Sequence, residues 1–244
     1  MEADFNFFNG LMFAGRMMRQ AEAQGRIPLE IYGSRKNNEA VEVAINRRLV
    51  ADLLRQKRIP GAIASVDAES CYDRIAHVAG SLCAQNWDVD PEAIRAMLLT
   101  IQRMKYFLRT AFGDSDDFFS SLDDILTYQG SCQGNKGSPA FWLAVSVFLV
   151  LMLHRLGHFA QIRSAMSLSL FVTAGFLFVD DTDLITVAVD QTESPAQVTA
   201  RMQAAVNAWH GGLRATGGAL KPEKCSWCLV SFYWDQGQWH YTNP

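Results

Sequence analysis

An apolar run that ends in two adjacent carboxylates constrains this chain more than any other feature. The run extends from Leu168 to Val179, and Asp180 and Asp181 follow it directly. Such a run predicts a buried strand, with the acid pair where the strand emerges. Adjacent carboxylates repel each other, so keeping both ionised favours a cation between them. Magnesium suits this place because it takes carboxylate oxygens, water and substrate phosphates. The alternative is a solvated turn.

A third carboxylate stands in a matching position. Asp67 ends a predicted short strand over residues 62–66. Neighbouring strands that bring acids to one edge could hold two divalent ions, the arrangement that stabilises the attacking and leaving oxygens in phosphoryl transfer. The alternative for Asp67 is that it caps the helix that follows.

Residues 129–139 form a Gly-rich segment with a lysine and a proline, leading into a predicted helix over 139–157. Such a turn offers backbone N–H groups and allows another backbone or a nucleotide to approach closely. Its spacing differs from that of a phosphate-binding P-loop.

The hydrophobic pattern predicts an α+β fold, an antiparallel sheet with helices on one face. Predicted helices cover 5–24, 38–58, 69–86, a segment from Asp90, 139–157 and 194–214. Predicted strands cover 62–66, a pair at 106–112 and 124–128, a hairpin formed by 168–179 and 184–189, and a second hairpin within 227–241.

Composition indicates a globular chain, with 49% hydrophobic and 19% charged residues. The net charge of -3 argues against nucleic acid as a partner. Charge is uneven, however: residues 1–60 hold ten Lys/Arg against seven Asp/Glu, which leaves twelve against eighteen for the rest. The longest apolar stretch, Ala140–Leu153, is shorter than the roughly 20 residues of a membrane span, so we expect a buried helix and no membrane partner.

Five scattered cysteines indicate reduced thiols and an intracellular location. Cys225 and Cys228 have the spacing of half a zinc site, but no second pair follows them in the sequence. We therefore expect two core cysteines there rather than a metal site.

Motifs in a set order resemble the palm of a reverse transcriptase, an RNA-directed DNA polymerase. Residues 227–234 stand where that family has its primer-grip hairpin, and residues 32–36 resemble the fingers segment of retrotransposon and group II intron enzymes. The resemblance covers residues 11–234. The motifs are Asp67-x4-Tyr72-Asp73, Gln133-Gly134-x3-Ser138-Pro139, Phe178-Val179-Asp180-Asp181 and Gly218-Ala219-Leu220-Lys221-Pro222-Glu223-Lys224.

The resemblance implies a role for each matching residue. Asp67, Asp180 and Asp181 would hold two Mg²⁺ ions, for which Mn²⁺ can substitute, and Lys224 would be the general acid toward pyrophosphate, with Lys221 as the alternative. Tyr72 would stack under the sugar and exclude a 2′-hydroxyl. The other implied substrate contacts are Gln133, Gly134, Arg35 and Lys36.

The resemblance also implies a domain plan and partners. Residues 1–60 would be partial fingers, 61–226 a palm with a fingers-like insertion near 100–138, and 227–244 a primer-grip-like hairpin and C-terminal end. The partners would be an RNA template, a DNA primer, dNTPs and other segments of a larger polyprotein. The family's N-terminal fingers segment and helical thumb have no counterpart in this sequence, so we expect a fragment from a mobile element.

Other functions are open at this stage. A catalytically inactive nucleic-acid-binding remnant of the same fold would account for the missing segments. An RNA-directed RNA polymerase shares similar carboxylates, but that family more often has Gly before the acid pair, where this chain has Val179. A two-metal nucleotide cyclase has no nucleotide-specific motif in its favour.

Overall fold

A computed structural model describes residues 3–120, 128–164, 167, 169–190 and 192–242. It contains helices and antiparallel strands, so the predicted α+β class is confirmed. The chain divides into two compact units, the first formed by Met1–Arg26 and Ser70–Val145 and the second by Ile27–Glu69 and Ser146–Pro244.

The elements follow one another along the chain. In order they are α1 (Ala3–Asn9), a π-helical stretch (Gly10–Met17), α2 (Met18–Ala23), α3 (Ala40–Lys57), β1 (Gly61–Asp67), α4 (Cys71–Arg74), α5 (His77–Gln85), α6 (Pro91–Arg103), β2 (Tyr106–Thr110), β3 (Gly113–Phe119), α7 (Ser138–Arg155), β4 (Ala160–Arg163), β5 (Leu170–Thr173), β6 (Gly175–Phe178), β7 (Asp181–Val187), α8 (Pro195–Ala215), a 3₁₀ turn (Pro222–Lys224), β8 (Ser226–Val230), β9 (Phe232–Asp235) and β10 (Gln238–Tyr241).

A four-stranded antiparallel sheet forms the centre of the second unit, in the order β6-β7-β1-β8. On one face, Val50 and Leu54 of α3 pack against Ile63 and Ile185. The opposite face is buried as well, and α8 contacts β1 and β7. Helices therefore cover both faces, and the prediction of helices on one face was incomplete because it did not place α3.

The long apolar run divides into two strands that belong to different sheets. β5 pairs with β4, whereas β6 pairs with β7, and Leu168 lies outside the described residues. The Thr173 hydroxyl donates a hydrogen bond to the Gly175 carbonyl oxygen, 2.8 Å away, across the break. A Cβ on Gly175 would lie 2.1 Å from the Asp183 carbonyl oxygen, so only glycine allows the close pairing there. Periodicity alone could not locate this division.

In the first unit, the acidic segment itself forms a strand. β2 pairs with β3, and Gly113, the first residue of β3, has a φ of +121°. The segment predicted to pair with β2, 124–128, lies outside the described residues except for Tyr128. Aromatic pairs explain the register, because Phe107 and Phe118 contact each other across it, as do Tyr106 and Phe119. The predicted helix over 69–86 is likewise divided into α4 and α5.

Helix termini match the sequence signals. Asp90 caps α6 by accepting from two backbone N–H groups, and Ser194 forms a capping box with Gln197 at the start of α8. Helix α7 has the length and composition of a membrane span, the only such helix in the described part of the chain, but 67% of it is buried. A buried core helix has the same composition, so the predicted buried helix is confirmed.

Candidate metal and nucleotide site

The three predicted metal ligands come together at one edge of the four-stranded sheet. Asp67 is the last residue of β1, Asp181 is the first of β7, and the two are directly paired across the strands. Asp180 lies in the two-residue turn between β6 and β7, and its carbonyl oxygen accepts a hydrogen bond from Ala68 N over 3.3 Å. The hairpin thus places all three carboxylates beside the end of β1.

The charges at this edge repel one another. Burial raises the pKa of Asp181, and the negative charges of Asp180, Asp67 and Asp183 raise it further, while Lys224 lowers it. Asp67 is itself buried. An edge of this kind favours a bound cation, because a cation offsets the repulsion that raises this pKa.

The donor set fits magnesium in its chemistry. Carboxylate oxygens are the ligands that Mg²⁺ prefers, and the ion commonly takes one or two carboxylates and completes its shell with water and substrate phosphates. Within the described residues, no group of three or more His, Cys, Asp or Glu side chains is placed so that it could hold a metal ion by itself. A site formed by these carboxylates would therefore be open, with water or substrate phosphates completing the metal's shell.

A close backbone contact holds the turn that carries Asp180. Val179 has a φ of +59°, a left-handed conformation that is rare for a β-branched residue. The backbone N–H groups of Tyr32 and Gly33 both donate to the Leu177 carbonyl oxygen, at 2.9 and 3.3 Å. A Cβ on Gly33 would lie only 2.2 Å from Val179 N. The residue at position 33 must therefore be glycine for this loop to lie against the turn.

A fourth acid, Asp183, belongs to the same face. It is buried and pairs directly with Ser65. Its Oδ1 accepts a hydrogen bond from the Ser65 hydroxyl and another from the Arg47 guanidinium at 3.3 Å. Arg47 comes from α3, so the sequence carried no signal for this contact. These residues, with Asp67, Asp181 and Lys224, line a groove of about 420 Å³.

The two candidate lysines differ in their partners. The Lys224 ammonium lies 3.4 Å from Asp67 Oδ2, whereas Lys221 lies 3.9 Å from Glu223. The geometry therefore brings Lys224 to the acid edge.

The first unit holds the predicted nucleotide contacts. The Tyr72 carbonyl oxygen accepts from Ser131 N at 2.7 Å, and Asp73 Oδ1 accepts from Gln133 N at 3.1 Å. Gly130 has a φ of +88°, and a Cβ there would lie 2.5 Å from the Asp73 carbonyl oxygen. The glycine-rich segment thus lies directly against the Tyr72-Asp73 motif.

Gln133 and Gly134 are exposed in the middle of this segment, while residues before and after them are buried. Buried Asn135 donates to the Ser131 carbonyl oxygen, and the Ser138 hydroxyl donates to the same oxygen. These hydrogen bonds hold the segment in place, so the exposed Gln133 side chain is suited to contact a ligand.

Arg35 and Lys36 lie in the loop that precedes α3. Arg35 donates to the Ile31 carbonyl oxygen at 2.9 Å within its own loop, and Lys36 is exposed. None of the five cysteines forms a disulfide in the described residues, which include all five. Cys228 is exposed on β8, so the expectation of two core cysteines was wrong for that residue.

No protein-family model matches the chain, and no curated protein matches it. Solved structures do. Telomerase from Candida tropicalis, in complex with a fragment of telomeric RNA, superposes with a TM-score of 0.56 at 15% identity, covering 93% of this chain and 35% of that one. Apo telomerase from C. tropicalis, truncated from its C-terminal domain, gives 0.50 at 13% identity, covering 87% of this chain and 39% of that one.

The chain thus spans little more than a third of the length of these structures, and the identity is low enough that the likeness speaks for the fold alone. Telomerase is a reverse transcriptase. The likeness extends over most of the chain. The protein has a reverse-transcriptase-like α+β fold, similar to that of telomerase.

Proposed function

We propose that this chain is the palm and partial fingers core of an RNA-directed DNA polymerase, a nucleotidyltransferase from a mobile element. The observation that carries the proposal is the pairing of Asp67 with Asp181, with Asp180 in the adjoining turn. The similarity of its fold to that of telomerase supports it, because the Candida tropicalis telomerase structure is a complex with a fragment of telomeric RNA. RNA template, DNA primer and dNTPs are the proposed partners.

Asp67 and Asp180 are the proposed direct ligands of magnesium, and Asp181 supports them. When bound, two Mg²⁺ ions would activate the primer 3′-hydroxyl and stabilise the charge on the triphosphate. The chain's own contribution is to hold the carboxylates at one strand edge, so that little reorganisation is needed when metal and substrate bind.

The proton that the leaving pyrophosphate requires is assigned to Lys224. An ammonium group that is partly exposed can reach a leaving oxygen and donate its proton. Tyr72 is the proposed sugar contact that favours deoxynucleotides, and Gln133 and Gly134 are the proposed contacts for the nucleotide and template base. Arg35 and Lys36 are proposed contacts for phosphate groups.

Primer extension on an RNA template with Mg²⁺ tests the proposal. We expect incorporation of dNTPs, and a loss of at least about 100-fold in Asp180→Ala. Asp117→Ala is the matched control, because Asp117 is an exposed acid in β3, and it should retain activity. Incorporation of NTPs alone would favour an RNA-directed RNA polymerase. RNA binding without any incorporation would favour the inactive remnant.

Nucleotide selection gives a second test. If Tyr72 excludes the 2′-hydroxyl, Tyr72→Ala should admit NTPs while still extending with dNTPs. Tyr72→Phe keeps the ring and should retain the preference of the parent. Equal NTP exclusion in the parent and in Tyr72→Ala would remove Tyr72 from the proposed mechanism.

A further inference from the structure

An ammonium group already lies where a cation is needed at the acid edge. Lys224 Nζ is 3.4 Å from Asp67 Oδ2. The Asp67 side chain is 11% exposed, whereas that of Lys224 is 59% exposed.

Backbone contacts fix the segment that presents this lysine. Leu220 forms a bridge with Ala68, and Lys221 N donates to the Asp67 carbonyl oxygen at 3.0 Å. The 3₁₀ turn Pro222–Lys224 follows at once, and Lys224 N donates to the Lys221 carbonyl oxygen at 3.0 Å. The start of the Lys224 side chain is therefore held near Asp67, while its end remains free to move.

The neighbouring cations have other partners. The Arg47 guanidinium pairs with Asp183, and Lys221 lies near Glu223. Lys224 thus offsets the charge of Asp67, which is the role proposed for a divalent ion.

We propose that Lys224 acts as a counter-ion that competes with divalent metal for Asp67 and is released from it when metal binds. The inference rests on the proposed function, since it assigns a second role to a residue of the same site. A doubly charged ion attracts the carboxylates more strongly than the ammonium does, and the exposed end of Lys224 lets it leave without disturbing the fold. After its release, the ammonium is available to the triphosphate.

This competition predicts that removing the ammonium tightens metal binding. In Lys224→Met, which keeps much of the length and loses the charge, we expect the Kd for Mn²⁺ to fall about fivefold, as for loss of a partly exposed ion pair. Lys224→Arg retains a cation and should bind Mn²⁺ like the parent. Lys221→Met is the matched control from the same turn and should leave the Kd unchanged.

The measurement is Mn²⁺ titration of the full chain without nucleic acid, followed by the electron paramagnetic resonance of free Mn²⁺. Circular dichroism verifies folding, and Lys224→Gln is the second variant if Lys224→Met does not fold. Extension activity provides an opposite readout: if Lys224 also donates the proton, Lys224→Met binds metal more tightly but extends primers more slowly.

The outcomes separate the two proposals. Tighter binding in Lys224→Met with unchanged binding in Lys221→Met supports the competition. Binding by the parent that is abolished in Asp67→Asn but not tightened in Lys224→Met overturns the competition and leaves the metal site standing. Parent binding that Asp67→Asn does not weaken, or no binding at all, overturns the metal site and the competition together.

Discussion

Two hairpins in this protein carry aspartates, and the structure gives them opposite properties. In the β2–β3 hairpin, Asp114 forms a two-pronged ion pair with Arg109, with distances of 2.6 and 2.8 Å. That contact lowers the pKa of Asp114 and raises the pKa of Arg109. In the β6–β7 hairpin, burial and three neighbouring carboxylates raise the pKa of Asp181.

The third strand makes the difference. The β2–β3 hairpin forms a two-stranded sheet, so its acids face solvent and a cation on the adjacent strand. The β6–β7 hairpin pairs with β1, which brings Asp67 opposite Asp181 and buries the surroundings. An acidic hairpin becomes a candidate metal site only when another element brings like charge to it and limits its access to water.

The largest expected effect comes from the backbone contact between Gly33 and the turn of the β6–β7 hairpin. Gly33→Ala should destabilise the protein by about 2–3 kcal/mol and weaken Mn²⁺ binding, because the new Cβ would collide with Val179 N. Chemical denaturation and Mn²⁺ titration measure the two effects. Gly211→Ala, in α8 with open space around it, is the control and should be neutral or stabilising. Equal stability of the two variants would show that the turn does not depend on Gly33.

The next effect concerns the buried acid Asp183. Arg47→Ala should lower the free energy of unfolding by about 1–2 kcal/mol, because the Asp183 carboxylate then loses the guanidinium donor and keeps the Ser65 hydroxyl. Arg48→Ala removes an exposed ion pair with Asp52 from the same helix and should cost less than about 0.5 kcal/mol. Urea titrations compare them, and similar losses would mean that the Arg47 contact adds nothing to the edge.

A smaller effect of opposite sign is expected at Asp181. Its pKa is raised above the unfolded value of 3.8, so the folded protein binds more protons and loses stability as pH rises through the window above 3.8. Without divalent ions, Asp181→Asn should therefore be slightly more stable than the parent at pH 7, by at most about 0.5 kcal/mol.

The difference in stability between Asp181→Asn and the parent should vanish below pH 3.8. It should change sign when Mg²⁺ is present, because only the parent then retains all of the proposed metal ligands. Thermal unfolding at several pH values, with and without Mg²⁺, measures this. A variant that is less stable than the parent at pH 7 in metal-free buffer would contradict the repulsion at this edge.

The smallest effect is expected at the exposed hairpin. Asp114→Asn removes the ion pair with Arg109, but both side chains face solvent, where such pairs contribute little. We expect no measurable change in Tm or in Mn²⁺ affinity. A clear loss of Mn²⁺ binding would remove the distinction between the two hairpins.

Much of the candidate site could be anticipated from local signals. The strand that ends at Asp67, the hairpin turn that holds Asp180, and the helix that begins after the Gly-rich segment all appear where the patterns indicate. Such features depend on apolar periodicity and on turn residues, which act over a few positions. The split of the 168–179 run was missed because both halves are equally apolar, and only different pairing partners separate them.

The sequence by itself determined the positions of the acids at strand ends, the helix caps and the order of the motifs, since each follows from neighbours along the chain. Only the tertiary structure decided that Asp67 faces Asp181, that Gly33 lies against Val179, and that Lys224 rather than Lys221 reaches the acid edge. These contacts join residues far apart in the chain. They depend on which strands pair and how closely backbones pack, and no local pattern encodes either.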